Sequence, residues 1–241
     1  MEIALSLIFA IGFTFIHLFS KSMTFIKDTP RSKFLSIAGG IAVSYVFIHL
    51  LPDLNKHQHI IEKAGGSGIF HLLENHVYLI ALLGLTIFYG LEKMVKNSKK
   101  ENNMDKADPG IFWIHISSFF VYNALIGYLL IREEYNGDWG MFFYFLALAV
   151  HFITNDHSLR KNHEAVYDRY GRWLLAAAIL FGWMVGLFVE LEEIYISLLT
   201  AFLAGGIILN VLKEELPEER KSSFFSFFLG VFCYSALLML V

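Results

Sequence analysis

Among 241 residues the chain has a single cysteine, Cys233. With no second cysteine there is no intrachain disulfide, and no metal site built on cysteine ligands is possible. Charge is also scarce: 17% of residues are Asp, Glu, Lys or Arg, against 56% hydrophobic. A soluble domain of this size carries about a quarter charged residues, so the shortage excludes that class. A mean hydropathy of +0.54 places the chain in a lipid bilayer. With a net charge of −3, no nucleic-acid partner is expected. Long polar segments are missing too. The longest, 53–68, 92–109 and 155–172, are loop-sized, so a single transmembrane domain over 1–241 is expected. The first apolar segment lacks a basic flank and a small-residue cleavage site, which reads as a membrane helix and not a signal peptide.

What is present is a series of eight apolar stretches near the ~20 residues needed to cross the hydrocarbon. They fall at about 3–20, 34–52, 72–91, 110–131, 139–157, 172–189, 194–213 and 223–241. The expected fold is therefore all-α and polytopic, with eight transmembrane helices. Of the 19 Lys and Arg, 16 lie in the connections after segments 1, 3, 5 and 7; only Lys56, Lys63 and Arg132 lie in the others. Positively charged loops stay in the cytoplasm, which predicts both termini outside.

One pattern occurs twice. Ala38-Gly39-Gly40 leads through apolar residues to His49-Leu50-Leu51-Pro52-Asp53, and Ala204-Gly205-Gly206 leads to Glu214-Glu215-Leu216-Pro217-Glu218. The copies differ by one residue in the spacer and lie in segments that cross in opposite directions. This is the signature of an inverted repeat, segments 1–3 against 6–8, around a central pair, 4 and 5. Substrate sites in such folds lie near the midplane where the repeats meet.

Polar residues at membrane depth are costly and mark functional paths. They concentrate on the central pair: His115, Ser117, Ser118, Tyr122 and Asn123 on segment 4, and Tyr144, His151, Thr154, Asn155, Asp156 and His157 on segment 5. His151 and Asn155 are four apart and share a helix face. Imidazole beside carbonyl and carboxylate oxygens suits a first-row divalent metal. Segment 2 adds Ser44, Tyr45 and His49, and segment 7 adds Asn210 and Glu214. The connection after segment 2 carries His57, His59, His71 and His76 with Asp53, Glu62 and Glu74, either a weak metal trap or a solvated turn.

On these residues the chain resembles the ZIP (Zrt/Irt-like) divalent metal transporters: eight helices with both termini outside, a Gly-Gly helix 2 ending in His49-Leu50-Leu51-Pro52-Asp53, and a helix 7 ending in Glu214-Glu215-Leu216-Pro217-Glu218. The resemblance implies a metal site from a His-Asn-x-Pro-Glu-Gly motif on helix 4 and a His-x-x-Pro-Glu-Gly motif on helix 5. Here helix 4 reads Tyr122-Asn123-Ala124-Leu125-Ile126-Gly127 and helix 5 reads His151-Phe152-Ile153-Thr154-Asn155-Asp156. Ile126 and Asn155 stand where the family has its two glutamates, so most of the charge that offsets dehydration of a divalent ion is gone.

The expectation is an inner-membrane, ZIP-like importer of zinc, iron or manganese, not an enzyme and needing no resident cofactor. His151, Asn155, Asn123 and Asp156 are the candidate metal ligands. By resemblance, His49 and Asp53 guide the ion in, and Glu214 and Glu215 collect it at the inner mouth. Homodimerisation through Phe-rich outer faces is left open. The alternatives are a diverged protein of this fold without metal transport, serving as a sensor, an assembly partner or a carrier of another solute, or an intramembrane hydrolase using His115, His151, Asp156, His157 and His163. Such an enzyme needs about three ligands and an open coordination position.

Overall fold

A computed structural model of the chain describes residues 2–23, 33–64, 77–101, 109–133, 135, 137–215 and 223–239. Among the described residues there are eight long helical stretches and no strand. They are α1 (Glu2–Phe19), α2 (Lys33–Tyr45, continued through a π-helical turn, Val46–Leu50, into Leu51–Ala64), α3 (Val77–Glu101), α4 (Pro109–Arg132), α5 (Gly137–Val166), α6 (Arg172–Phe188), α7 (Glu193–Glu215) and α8 (Phe224–Met239). Six of them, all except α5 and α8, contain a stretch long and apolar enough to cross a membrane. The outward surfaces of the bundle expose Phe15, Phe47, Leu82, Ile114, Phe181 and Phe228, the composition that lipid tails accept.

Two helices run further than their apolar stretches indicate. Residues 53–64 were expected to be loop, but α2 passes through Pro52. Proline has no N–H to donate, and its ring crowds the carbonyl four residues back. The π-helical turn at Val46–Leu50 ends two residues before Pro52, and such a turn relaxes the i→i−4 ladder where proline would break it. Beyond it, Lys56–Asp53 and Gln58–Glu62 pairs on successive turns hold the helix. Likewise α5 continues past residue 157 to Val166. The chain then reverses around the π-helical turn Tyr167–Gly171. Arg160 donates two bonds to Asp168 there, and Arg172 donates to the Leu18 carbonyl.

Neighbouring helices identify themselves by their contacts. Phe9 stacks on Phe145 and His17 meets Asp156, so α1 and α5 run the same way. Three further parallel pairs cross where side chains vanish. α4 meets α6 at Gly127 and Gly182, α2 meets α8 at Gly40 and Gly230, and α3 meets α7 at Gly84 and Gly205. At each of these six glycines a β-carbon would collide with a carbonyl of the partner helix, so only glycine permits the approach. Helices α1, α4, α5 and α6 pack chiefly among themselves, as do α2, α3, α7 and α8. A seam separates the two groups, and the candidate site lies along it.

Candidate functional site

The seam can be followed down α4, one side chain at a time. At one end of the bundle stands Glu133, immediately after α4. Two turns earlier, about 10 Å lower by helical rise, is Ile126. One turn further is Tyr122 with Asn123, and two turns beyond that is His115.

From the Glu133 end a cavity of about 100 Å³, room for several waters, enters between the groups. It is lined by Tyr45, His49 and Asp53 of α2, by Glu133, Leu129 and Ile126, by Tyr144 of α5, and by Thr200, Leu203 and Ile207 of α7. Its mouth is polar and its inner end apolar. His49 sits on the π-helical turn, stacks on Tyr45, and holds Nε2 3.9 Å from Asp53 Oδ2. A wider depression of about 480 Å³ adjoins this mouth and shares Asp53, Lys56, Glu133 and Tyr135 with it.

At the mouth Asp53, His57 and Glu133 each present a ligand atom within 4.8 Å of the others. They are the one such trio of His, Cys, Asp or Glu among the described residues. His57 is buried, with Nδ1 3.0 Å from Ser197 Oγ and Nε2 3.5 Å from Glu133 Oε1. Thr200 donates to the other Glu133 oxygen at 3.0 Å, and Lys56 reaches Asp53 Oδ1 at 2.7 Å. His59, the second member of the His-x-His, lies elsewhere. Two residues along a helix is about 200°, so it faces solvent and pairs with Glu62.

Below the Ile126 level lie the residues that the sequence singled out. His151 is buried with Nε2 3.1 Å from the Tyr122 hydroxyl, and Tyr122 is wedged against Phe88 and Phe119. Asn123 is fully buried; it donates to the Phe119 carbonyl and leaves Oδ1 without a partner. Asn155 and Asn210 are buried with Nδ2 unpartnered. Buried amide atoms without partners within the protein are uncommon, and α4, α5 and α7 each carry one here. Asp156 points elsewhere. One position on from Asn155 turns it toward α1, where both carboxylate oxygens lie within 3.0 Å of His17 Nδ1, both residues fully buried. It faces neither the seam nor solvent, a correction to its place in the expected ligand set.

At the far end a chain of polar groups ties the two helix groups together. Lys213 Nζ lies 2.6 Å from Glu92 Oε2, Glu92 Oε1 lies 3.5 Å from His115 Nε2, and His115 Nδ1 lies 3.2 Å from His163 Nε2. The ligand set considered for a hydrolase is thus divided: His115 with His163, His151 with Tyr122, and Asp156 with His17. Glu214 and Glu215 end α7, but their side chains, like Leu216-Pro217-Glu218, His71, Glu74 and His76, lie outside the described residues.

Sequence reasoning passed over Glu133, His17 and Glu92. Glu133 follows Arg132 at a helix end, where an acidic residue reads as ordinary solvated charge. His17 and Glu92 acquire meaning only through partners 139 and 23 residues away. Compared with known proteins, the chain matches no family model, no curated protein and no solved structure.

Proposed function

We propose that the protein is a ZIP-like importer of a divalent transition metal, zinc, iron or manganese, across the cell membrane. The observation that carries this reading is the cavity between two helix groups, lined at its mouth by His49 and Asp53 and ending above the belt of Tyr122, Asn123, His151, Asn155 and Asn210. A carrier needs a polar path that meets one face of the membrane at a time, at a boundary between units able to move against each other. The distribution of Lys and Arg orients the cavity mouth outward, with both termini outside. All eight helices are read as crossings, since odd-numbered helices run one way and even-numbered ones the other.

The inverted repeat gains support from the glycine crossings. Exchanging α1 with α6, α2 with α7, α3 with α8 and α4 with α5 carries the α2/α8 pair onto α7/α3, and α4/α6 onto α5/α1. It also pairs Gly40 with Gly205. In that register both glycines stand twelve residues before the proline, Pro52 and Pro217, and the one-residue difference between the copies disappears. On this reading the far-end network of Glu92, Lys213 and His115 closes the inner mouth. His151, Asn123 and Asn155 would hold the ion in transit, and Glu214 and Glu215 would receive it at the inner side.

A second reading, a protein of this fold without metal transport, is favoured by Ile126. It puts an apolar side chain at the inner end of the cavity, where the resemblance calls for a carboxylate. Uptake of zinc, manganese, iron(II), cobalt and cadmium into proteoliposomes separates the two. Transport should occur and should fall at least tenfold in His151→Ala and in Asp53→Asn protein. Folded wild-type protein that moves none of these metals would leave the second reading.

A further inference from the structure

We infer that Asp53, His57 and Glu133 form a binding site for one divalent transition-metal ion at the cavity mouth. The site rests on α2 on one side of the seam and on the end of α4 on the other. The inference rests on the proposed function in naming the class of ion, and it goes further by assigning a site that neither the repeat nor the candidate ligands on α4 and α5 indicated.

His57 is the anchor of the site. Its ring is buried, and Nδ1 is held 3.0 Å from Ser197 Oγ. With Nδ1–H donating to that hydroxyl, the lone pair is on Nε2, the arrangement that a ligating histidine adopts when a second group fixes its far nitrogen. That lone pair faces Glu133 Oε1 at 3.5 Å, and Nε2 has no hydrogen-bond partner. In that tautomer two acceptors face each other, a contact that a cation between them makes favourable. The spacing is too long for a hydrogen bond. It is close to the edge of a coordination tetrahedron, roughly 3.3 Å for bonds of about 2.0–2.1 Å. An ion placed there resolves the conflict.

The remaining contacts fit. Thr200 holds the second Glu133 oxygen at 3.0 Å and so fixes the orientation of the first. Asp53 brings its carboxylate within 4.8 Å of both other ligand atoms. One imidazole and two carboxylates match zinc, cobalt, iron(II) or manganese better than a softer or a purely oxygen-seeking cation. Three protein ligands leave a position open toward the cavity, as an ion that must move on requires. Lys56 competes for the site, since its ammonium occupies Asp53 Oδ1 from the solvent side at 2.7 Å.

The test is binding by the purified full-length protein in detergent. Titration calorimetry with Zn²⁺ and the visible absorption of bound Co²⁺ are measured together with the melting temperature. Wild-type protein should bind one ion at this site. Affinity should drop at least tenfold in His57→Ala and in Glu133→Gln, and stay within twofold in His59→Ala, which alters an exposed histidine on the opposite helix face. Lys56→Met should tighten binding severalfold by removing the competing ammonium. Glu133→Gln keeps an acceptor for Thr200, so it remains informative if His57→Ala does not fold. Added Zn²⁺ should raise the wild-type melting temperature more than that of Glu133→Gln. An absence of binding by folded wild-type protein would leave an ordinary histidine–glutamate pair and overturn the proposal, as would binding undiminished in Glu133→Gln. Binding without uptake in proteoliposomes keeps the site and defeats the transport reading; uptake without loss of affinity in these variants does the reverse.

Discussion

Gly84 and Gly90 lie less than two turns apart on α3 and give opposite predictions for the same change to alanine. At Gly84 the added methyl would fall on the Phe202 carbonyl of α7; at Gly90 nothing lies within 4 Å. Restoring van der Waals contact at Gly84 requires the two backbones to part by roughly 1 Å, and a gap of 0.5–1 Å forfeits a quarter to a half of each affected contact. Overpacking of this kind costs about 1–3 kcal/mol. At Gly90 the sole effect is the reduced freedom of the unfolded chain, a gain of about 0.4–1 kcal/mol. Helix propensity is common to both substitutions, so their difference, about 1–3 kcal/mol, isolates the crossing. At about 2–4 °C per kcal/mol for a chain of this length, the variants should melt about 2–12 °C apart, on opposite sides of wild type. The measurement is thermal unfolding in detergent followed by helical circular dichroism. Equal shifts, or a Gly84→Ala protein as stable as wild type, would refute the claim that close approach at this glycine holds α3 to α7.

Three other changes test contacts between distant segments. Asp156→Asn should destabilise the protein by about 1–3 kcal/mol, because it disrupts a fully buried hydrogen-bonded histidine–carboxylate pair, while Asp156→Leu combined with His17→Leu should recover most of that loss; melting of the single and double variants decides it. Glu92→Gln and Lys213→Met should be non-additive by about 0.5–3 kcal/mol in a double-mutant cycle, since the two groups touch between α3 and α7; strict additivity would mean that the contact contributes nothing. Tyr234→Phe removes the 2.8 Å bond to the Phe143 carbonyl that ties α8 to α5, and should cost about 0.5–1.5 kcal/mol in the same assay.

The pattern of apolar segments, the glycine pairs and the polarity of α4 and α5 were all legible in the chain, because each is a local property that a helix expresses without help. Burial of His151, Asn123 and Asn155 follows from the same logic. The path of α2 beyond Pro52 was not legible. Proline is a stop signal unless the preceding turn relaxes, and nothing in Val46–Leu50 announces a π-helical turn. Nor was the pairing of Asp156, which one helical position turns from the seam toward a histidine 139 residues earlier. Glu133 and His57 acquired their meaning only when α2 and α4 were set side by side. A site assembled from opposite sides of a seam leaves no spacing for a motif to record.

The three helix pairs that meet at glycines, α4 with α6, α2 with α8 and α3 with α7, are all parallel, and this bears on how the protein is made. Helices joined by a short connection run antiparallel, so none of these six helices can find that partner in the segment synthesised just before or after it. α2 must wait, its Gly40 face uncovered, until Gly230 of α8 has been made. Assembly of this pair is therefore governed by the later segment to arrive. A ribosome that stops before residue 224 would release a chain whose α2 groove lacks its partner, a form that quality-control proteases have every opportunity to remove.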